Sequence, residues 1–168
     1  MTKAVGRKRA SDPKRAMLRH TVATVAYRAG KTLRGAPVNF PAFRAGEASR
    51  TAEEILAHIG DLFDWALAIA RGRETWHNSK PLPWEQEVER FYASLAAFDA
   101  YLAGGEPLHG EVERLFQGPV ADALNHVGQI AMLRRLAGAP VQGENYFRAD
   151  IAEGRVGPEQ SRPKVEFD

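Results

Sequence analysis

Residues 119–138 read PVADALNHVGQIAMLRRLAG, a stretch that opens on Pro119 and closes on Gly138. Proline is tolerated where a helix starts and glycine where one stops, so the segment reads as a complete helix. At 3.6 residues per turn, Asp122, His126 and Gln129 fall within about 60° of one another, with Leu133 continuing the same line. A stripe that turns from polar to apolar along its length marks a pocket at one end of a packed helix. Val120, Leu124, Val127 and Ala131 make a second apolar side almost opposite, so the helix needs cover on both sides. Another segment of the chain or a second subunit must provide that cover. A two-fold homodimer is the commonest closed arrangement of the second kind.

Working outward, three further helices are expected. From Pro13, after Ser11 and Asp12, apolar residues recur at Leu18, Val22, Val25, Ala29 and Leu33, and Gly35 and Pro37 end the pattern. The connection that follows carries Phe40 and Phe43, which should pack on a helix surface. A second helix starts at Thr51, with Glu54 completing an S/T-x-x-E capping box. Its apolar face is Ile55, Ile59, Leu62, Phe63, Ala66 and Ile69, with His58 at the edge in line with Trp65. Asp61 can point the same way as His58, whereas Asp64 falls further round and should be exposed. Residues 71–83 form a loop rich in breakers. A third helix runs from Trp84 with Val88, Phe91, Leu95, Phe98 and Leu102 inward, to the stop at Gly104 and Gly105. Glu111 to Phe116 reads as one helical turn. The last thirty residues should form an irregular tail packing through Tyr146, Phe147 and Ile151, and Glu144, Asn145 and Tyr146 could fold back over the pocket.

The chain has 168 residues, 44% of them hydrophobic and 26% charged, which suits one domain with a sizeable core. The expected division is a basic flexible arm over 1–12 and a single helical domain over 13–168. The expected fold is all-α, an up-down-down-up type four-helix bundle with an irregular C-terminal tail. With no cysteine, disulfides, thiolate metal sites and cysteine nucleophiles are excluded, and any metal must be held by nitrogen and oxygen. No secretory signal and no membrane-length apolar run is present, so a cytoplasmic location without membrane attachment is expected. Lys3, Arg7, Lys8 and Arg9 make the first residues basic, but no aromatic platform accompanies them, and nucleic acid is not an expected partner.

In such a bundle, ligands for a metal project inward from facing helices. His58 on the second helix and the i, i+4 pair Asp122 and His126 on the fourth meet that demand. Two imidazoles and a carboxylate suit a divalent ion, Zn²⁺, Ni²⁺ or Fe²⁺, with positions left for water or substrate. Gln129 would hydrogen-bond within the site, Asp61 would orient His58 through its second ring nitrogen, and Trp65 would line the pocket. His20, His77 and His109 have no partner spacing and read as surface or structural. The alternative is a bundle without a metal, its polar residues forming a buried hydrogen-bond cluster.

The segment DALNHVGQIAMLRRLAG resembles the last core helix of the DinB-like (DinB/YfiT-like) metalloenzyme family, whose pattern there is H-x-x-x-H-x-G-Q. His126-Val127-Gly128-Gln129 matches its second half, AHIGDLFDWAL is similar to the family's second helix with His58 at the ligand position, and the order of four helices from about Met17 to Gly138 agrees. Asp122 stands where the family has its first histidine. A carboxylate there would retain a site with a preference for harder metals, or mark the loss of the metal. The resemblance implies an enzyme in which a divalent metal activates a thiol or water nucleophile toward a small-molecule substrate. The alternative is a non-catalytic dimeric bundle, small-molecule binding or stress-related.

Overall fold

The computed structural model describes residues 12–167. Four long helices dominate them: α1 (Pro13–Leu33), α2 (Ala52–Ala70), α3 (Trp84–Ala103) and, after the single turn α4 (Val112–Leu115), α5 (Ala121–Leu136). Helices α2 and α3 pack on each other, α1 lies against α3 and α5, and α2 lies against α5. No helix among the described residues is long and apolar enough to cross a membrane. The basic arm lies outside the described residues, apart from Asp12.

Each helix begins for a local reason. Asp12 accepts the backbone N–H of Lys14 through Oδ1 at 3.0 Å, and Pro13 takes the first position. Thr51 and Glu54 form the expected reciprocal capping box, Glu54 N–H donating to Thr51 Oγ1 at 3.2 Å and Thr51 N–H to Glu54 Oε2 at 2.7 Å. Helix α3 lacks a side-chain cap. Instead, Glu87 reaches back from its first turn to accept the Leu82 N–H at 2.9 Å.

The helical path from residue 112 to 136 differs from the sequence expectation, which starts a separate helix at Pro119. A π-turn (Phe116–Val120) joins α4 to α5, with Pro119 inside it. Proline has no N–H to give to the carbonyl four residues back, and the wider turn carries the chain past that missing bond. Gly138, at φ 73°, then ends the run in the left-handed region open to glycine.

The core takes Leu18, Val22, Val25 and Ala29 from α1, Ile59, Phe63 and Ala66 from α2, and Phe91, Leu95 and Phe98 from α3. Helix α5 contributes Ala123, Val127, Ile130 and Leu133. Of the second apolar side read from the sequence, Val120 and Val127 are buried and Leu124 and Ala131 half-buried; Met132 and Leu136, not part of that side, stand exposed on the same helix. Phe40 is buried and Phe43 packs at the core edge, as expected.

Two buried charges tie distant segments to α1. Arg134 donates to the carbonyls of Thr32 at 2.9 Å, Arg34 at 3.2 Å, Gly35 at 3.2 Å and Ala139 at 2.9 Å, so a side chain of α5 caps the C-terminal end of α1. Its guanidinium lies 5.5 Å over the Phe40 ring. Arg134→Met keeps the apolar stem but removes the donors, and a loss of about 2–3 kcal/mol in urea unfolding is expected. A change within about 0.5 kcal/mol would mean that those carbonyls are satisfied by water instead.

The second tie holds the tail. Glu144 accepts from Tyr27 Oη at 2.6 Å and Lys31 Nζ at 3.1 Å, and Lys31 also reaches Glu166 at 2.6 Å. Strands β1 (Gly143–Glu144) and β2 (Glu166–Phe167) pair antiparallel beside this cluster. The tail is thus more ordered than its sequence implies. Tyr146 meets Tyr27 edge-on at 6.3 Å and Ile151 packs at the core edge, but Phe147 points outward, 94% exposed.

Candidate metal centre

Packing of α2 on α5 brings the residues singled out by spacing to one place. His58 Nε2 lies 3.7 Å from Asp122 Oδ2, and His126 Nε2 lies 3.5 Å from Asp122 Oδ1. The two imidazole rings meet edge to face with centroids 4.8 Å apart. One ligand atom from each of the three residues lies within 4.8 Å of the others, so the group could hold a metal ion.

The spacing distinguishes between uses. A hydrogen bond from imidazole to carboxylate spans about 2.7–3.0 Å, and both contacts to Asp122 are longer. Donors bound at about 2.1 Å to a common tetrahedral ion stand about 3.4 Å apart, and the two contacts, each to a different oxygen of Asp122, are of that order. The donor set, two nitrogens and an oxygen, fits a divalent cation. Side-chain exposure of 17% at His58 and 12% at His126 against 44% at Asp122 places the solvent side of the site at the carboxylate.

Gln129 does what its position one turn on implies. His126 Nδ1 lies 2.8 Å from Gln129 Oε1, a bond that orients the ring and turns Nε2 toward Asp122. Burial, followed by the charges of His126 and Arg50, holds the His58 pKa below the ordinary imidazole value of 6.5, against the opposing pull of Asp122 and Asp61. That lowering favours the neutral, lone-pair form of His58 that a cation requires.

Asp61 departs from expectation. Its carboxylate accepts from Arg90 Nη1 at 3.0 Å and from the Ser79 N–H at 2.8 Å, and it lies 3.3 Å from His77 Nδ1, so it does not orient His58. Three residues on, the helix has turned about 60° away from His58 and toward α3. Gly60 opens that route, since a Cβ there would lie 2.7 Å from Arg90 Nη2. Gly60→Ala should therefore displace the guanidinium and cost about 1–3 kcal/mol, read by chemical denaturation. Stability equal to the parent would show that Arg90 can move aside freely.

Asp64 is not simply exposed either. It is half-buried between Arg90 and His77, and burial raises its pKa against their opposing charges. Asp61, Asp64 and His77 form a second group with metal-like spacing, but Arg90 Nη1 already lies 3.0 Å from Asp61 and 3.5 Å from Asp64. A guanidinium in that position makes the cluster an ion-pair network. His77, expected to have no partner, is part of it.

The aromatic wall also has a member that spacing does not reveal. Trp65 is half-buried in line with His58, and Gly118 of the π-turn faces it with room for a Cβ at 3.8 Å. Between Trp65 and His58 stands Trp76 of the α2–α3 loop, its ring 5.7 Å from each. The one hint in the sequence is an indole within an otherwise polar loop. The tail segment around Glu144 does not cover the site, because Glu144 is bound to α1.

Comparisons with protein-family models, with curated proteins and with solved structures find no match to this chain.

Proposed function

We propose that this chain is a divalent-metal-dependent enzyme of the DinB-like type, an up-down-down-up four-helix bundle in which His58, Asp122 and His126 hold the ion. The observation that carries the reading is the convergence of two imidazole nitrogens and a carboxylate at separations too long for hydrogen bonds and suited to a shared cation. When bound, such an ion lowers the pKa of a thiol or water and so supplies a nucleophile near neutral pH.

The chain's own groups provide the setting. Gln129 orients the His126 ring, and Asp122 offers a negative charge on the open side, where a small-molecule substrate would arrive. Trp76, itself exposed, stands beside His58 and the half-buried Trp65. The expected partner is a second copy meeting the exposed Met132 and Leu136 of α5, and sedimentation should give twice the chain mass. A monomer at micromolar concentration would remove the dimer from the reading without touching the site.

Titration of the chelator-stripped, tag-free protein with Zn²⁺, Ni²⁺ or Fe²⁺ tests the metal reading, and one equivalent per chain is expected. Because the His58 pKa is depressed, its neutral form persists below pH 6.5, and metal affinity should fall only as pH drops through the lowered value. The same group favours the folded state above pH 6.5, and that contribution is lost as pH falls through the folded pKa. The competing view, a non-catalytic bundle with a hydrogen-bonded polar cluster, predicts no stoichiometric binding at any pH.

A further inference from the structure

The two imidazoles of the candidate site are held in different ways. His126 has Gln129 Oε1 at 2.8 Å from its Nδ1, whereas the His58 side chain makes no hydrogen bond with any described residue and lies 3.7 Å from Asp122. What faces His58 instead is aromatic. The His126 ring stands 4.8 Å away at 89° and the Trp76 ring 5.7 Å away at 71°, both edge to face. Such perpendicular pairs are attractive beyond the area they bury, and turning the imidazole would give up both.

Trp76 comes from a segment with little internal support. Residues 74–82 make no backbone-to-backbone hydrogen bond with other described residues, and all but Ser79 are exposed. Two of its N–H groups tie it down: Ser79 donates to Asp61 Oδ2 at 2.8 Å, and Leu82 donates to Glu87 Oε2 at 2.9 Å. Both acceptors are buried carboxylates, and each gives its other oxygen to Arg90. Nη1 reaches Asp61 Oδ1 at 3.0 Å, and Nε reaches Glu87 Oε1 at 2.6 Å. The same guanidinium donates to the carbonyl of Ala57, the residue before His58. One arginine of α3 therefore grips α2 on both sides of His58 in sequence and, through two carboxylates, two points of the loop. Charge-assisted bonds of this kind are about twice as strong as neutral ones, so the loop is held where its own backbone would not hold it.

We propose that Trp76 is a positioning residue for His58, giving that imidazole the fixed orientation that Gln129 gives His126, and that the bracket of Arg90, Asp61 and Glu87 holds the loop in the path that delivers the indole. Its consequence for metal binding rests on the proposed site, whereas the ring contacts and the bracket need no ion. An edge-to-face pair corresponds to about 3- to 10-fold in an equilibrium, which sets the size of the effect.

The test compares full-length parent, Trp76→Phe, Trp76→Ala and Ser79→Pro, the last lacking the N–H that Asp61 accepts. Trp76 is exposed and Ser79 lies in the loop, so neither change opens the core. Proton NMR of chelator-stripped protein reads the cross-peak between the His58 and His126 rings, with His58→Ala identifying the signals. The cross-peak should be kept in Trp76→Phe and weakened in both Trp76→Ala and Ser79→Pro. Zn²⁺ affinity, by competition with a chromogenic chelator, should fall about 3- to 10-fold in those two and stay within about 2-fold of the parent in Trp76→Phe. An undiminished cross-peak in Trp76→Ala would overturn the proposal, as would Trp76→Phe behaving like Trp76→Ala, or a parent that binds Zn²⁺ no better than Trp76→Ala does. Parental behaviour of Ser79→Pro beside an altered Trp76→Ala would overturn the part given to the bracket. A parent that binds no Zn²⁺ would refute the proposed function, and the metal-free cross-peaks would still decide whether Trp76 orients His58.

Discussion

His126→Ala is expected to lower divalent-metal affinity by about 100-fold or more, with little effect on folding. The substitution removes a proposed nitrogen ligand and also strands Gln129, whose Oε1 lies 2.8 Å from that ring. Two donors would remain, His58 and Asp122, and two donors leave a divalent ion mostly hydrated and weakly held. The ring is partly buried and packs against His58, so a stability loss of about 1 kcal/mol accompanies its removal. Equilibrium dialysis or competition with a chromogenic chelator gives the affinity, and thermal unfolding gives the stability. His126→Gln serves as the milder variant, retaining volume and polarity without an imidazole. An unchanged affinity in both variants would mean that any ion binds elsewhere. A large fall in melting temperature with no metal binding in the parent would favour the non-catalytic cluster.

The second large effect lies away from the site, where Lys31→Met should destabilise the protein by about 3–5 kcal/mol. The Glu144 side chain is fully buried, and Lys31 is the cation beside it. Burial pulls the Lys31 pKa down, but the bonds to Glu166 and Glu144 outweigh it and leave the value raised. Taking away the cation leaves a buried carboxylate with the Tyr27 hydroxyl as its remaining donor. Replacing the whole cluster, Tyr27→Phe with Lys31→Met and Glu144→Leu, should recover much of the loss, because a packed apolar group carries no desolvation penalty. Urea unfolding of the single and triple variants measures both. If Lys31→Met cost less than about 1 kcal/mol, the tail would not be held by this pair.

The helices were legible because their signals are local. Alternation of three and four residues marks the inward faces of α1, α2 and α3, and Thr51 with Glu54 announces a start that the hydrogen bonds reproduce. His58, Asp122 and His126 could be grouped because i, i+4 spacing fixes two of them and the edge of an apolar face fixes the third. What escaped depends on contacts between distant segments. The direction taken by Asp61 is decided by Arg90, which enters beside Gly60 and has no periodic relation to it. Trp76 and His77 sit in a loop whose path follows side-chain contacts, so no spacing rule places them. Arg134 as the cap of α1, and Glu144 as a buried partner of Lys31, read in sequence as ordinary charges. Pro119 looked like a helix start because proline favours that position, but the same missing N–H also suits a π-turn within a continuous path.

The central claim is that His58, Asp122 and His126 hold a single ion, and X-ray absorption at the metal edge of titrated protein tests it most directly. With Zn²⁺, two imidazole nitrogens and a carboxylate oxygen are expected at about 2.0–2.2 Å, with solvent completing the shell. The histidine contribution should be halved in His58→Ala. A spectrum showing an ion ringed only by water oxygen, or one unchanged by His58→Ala, would contradict the claim.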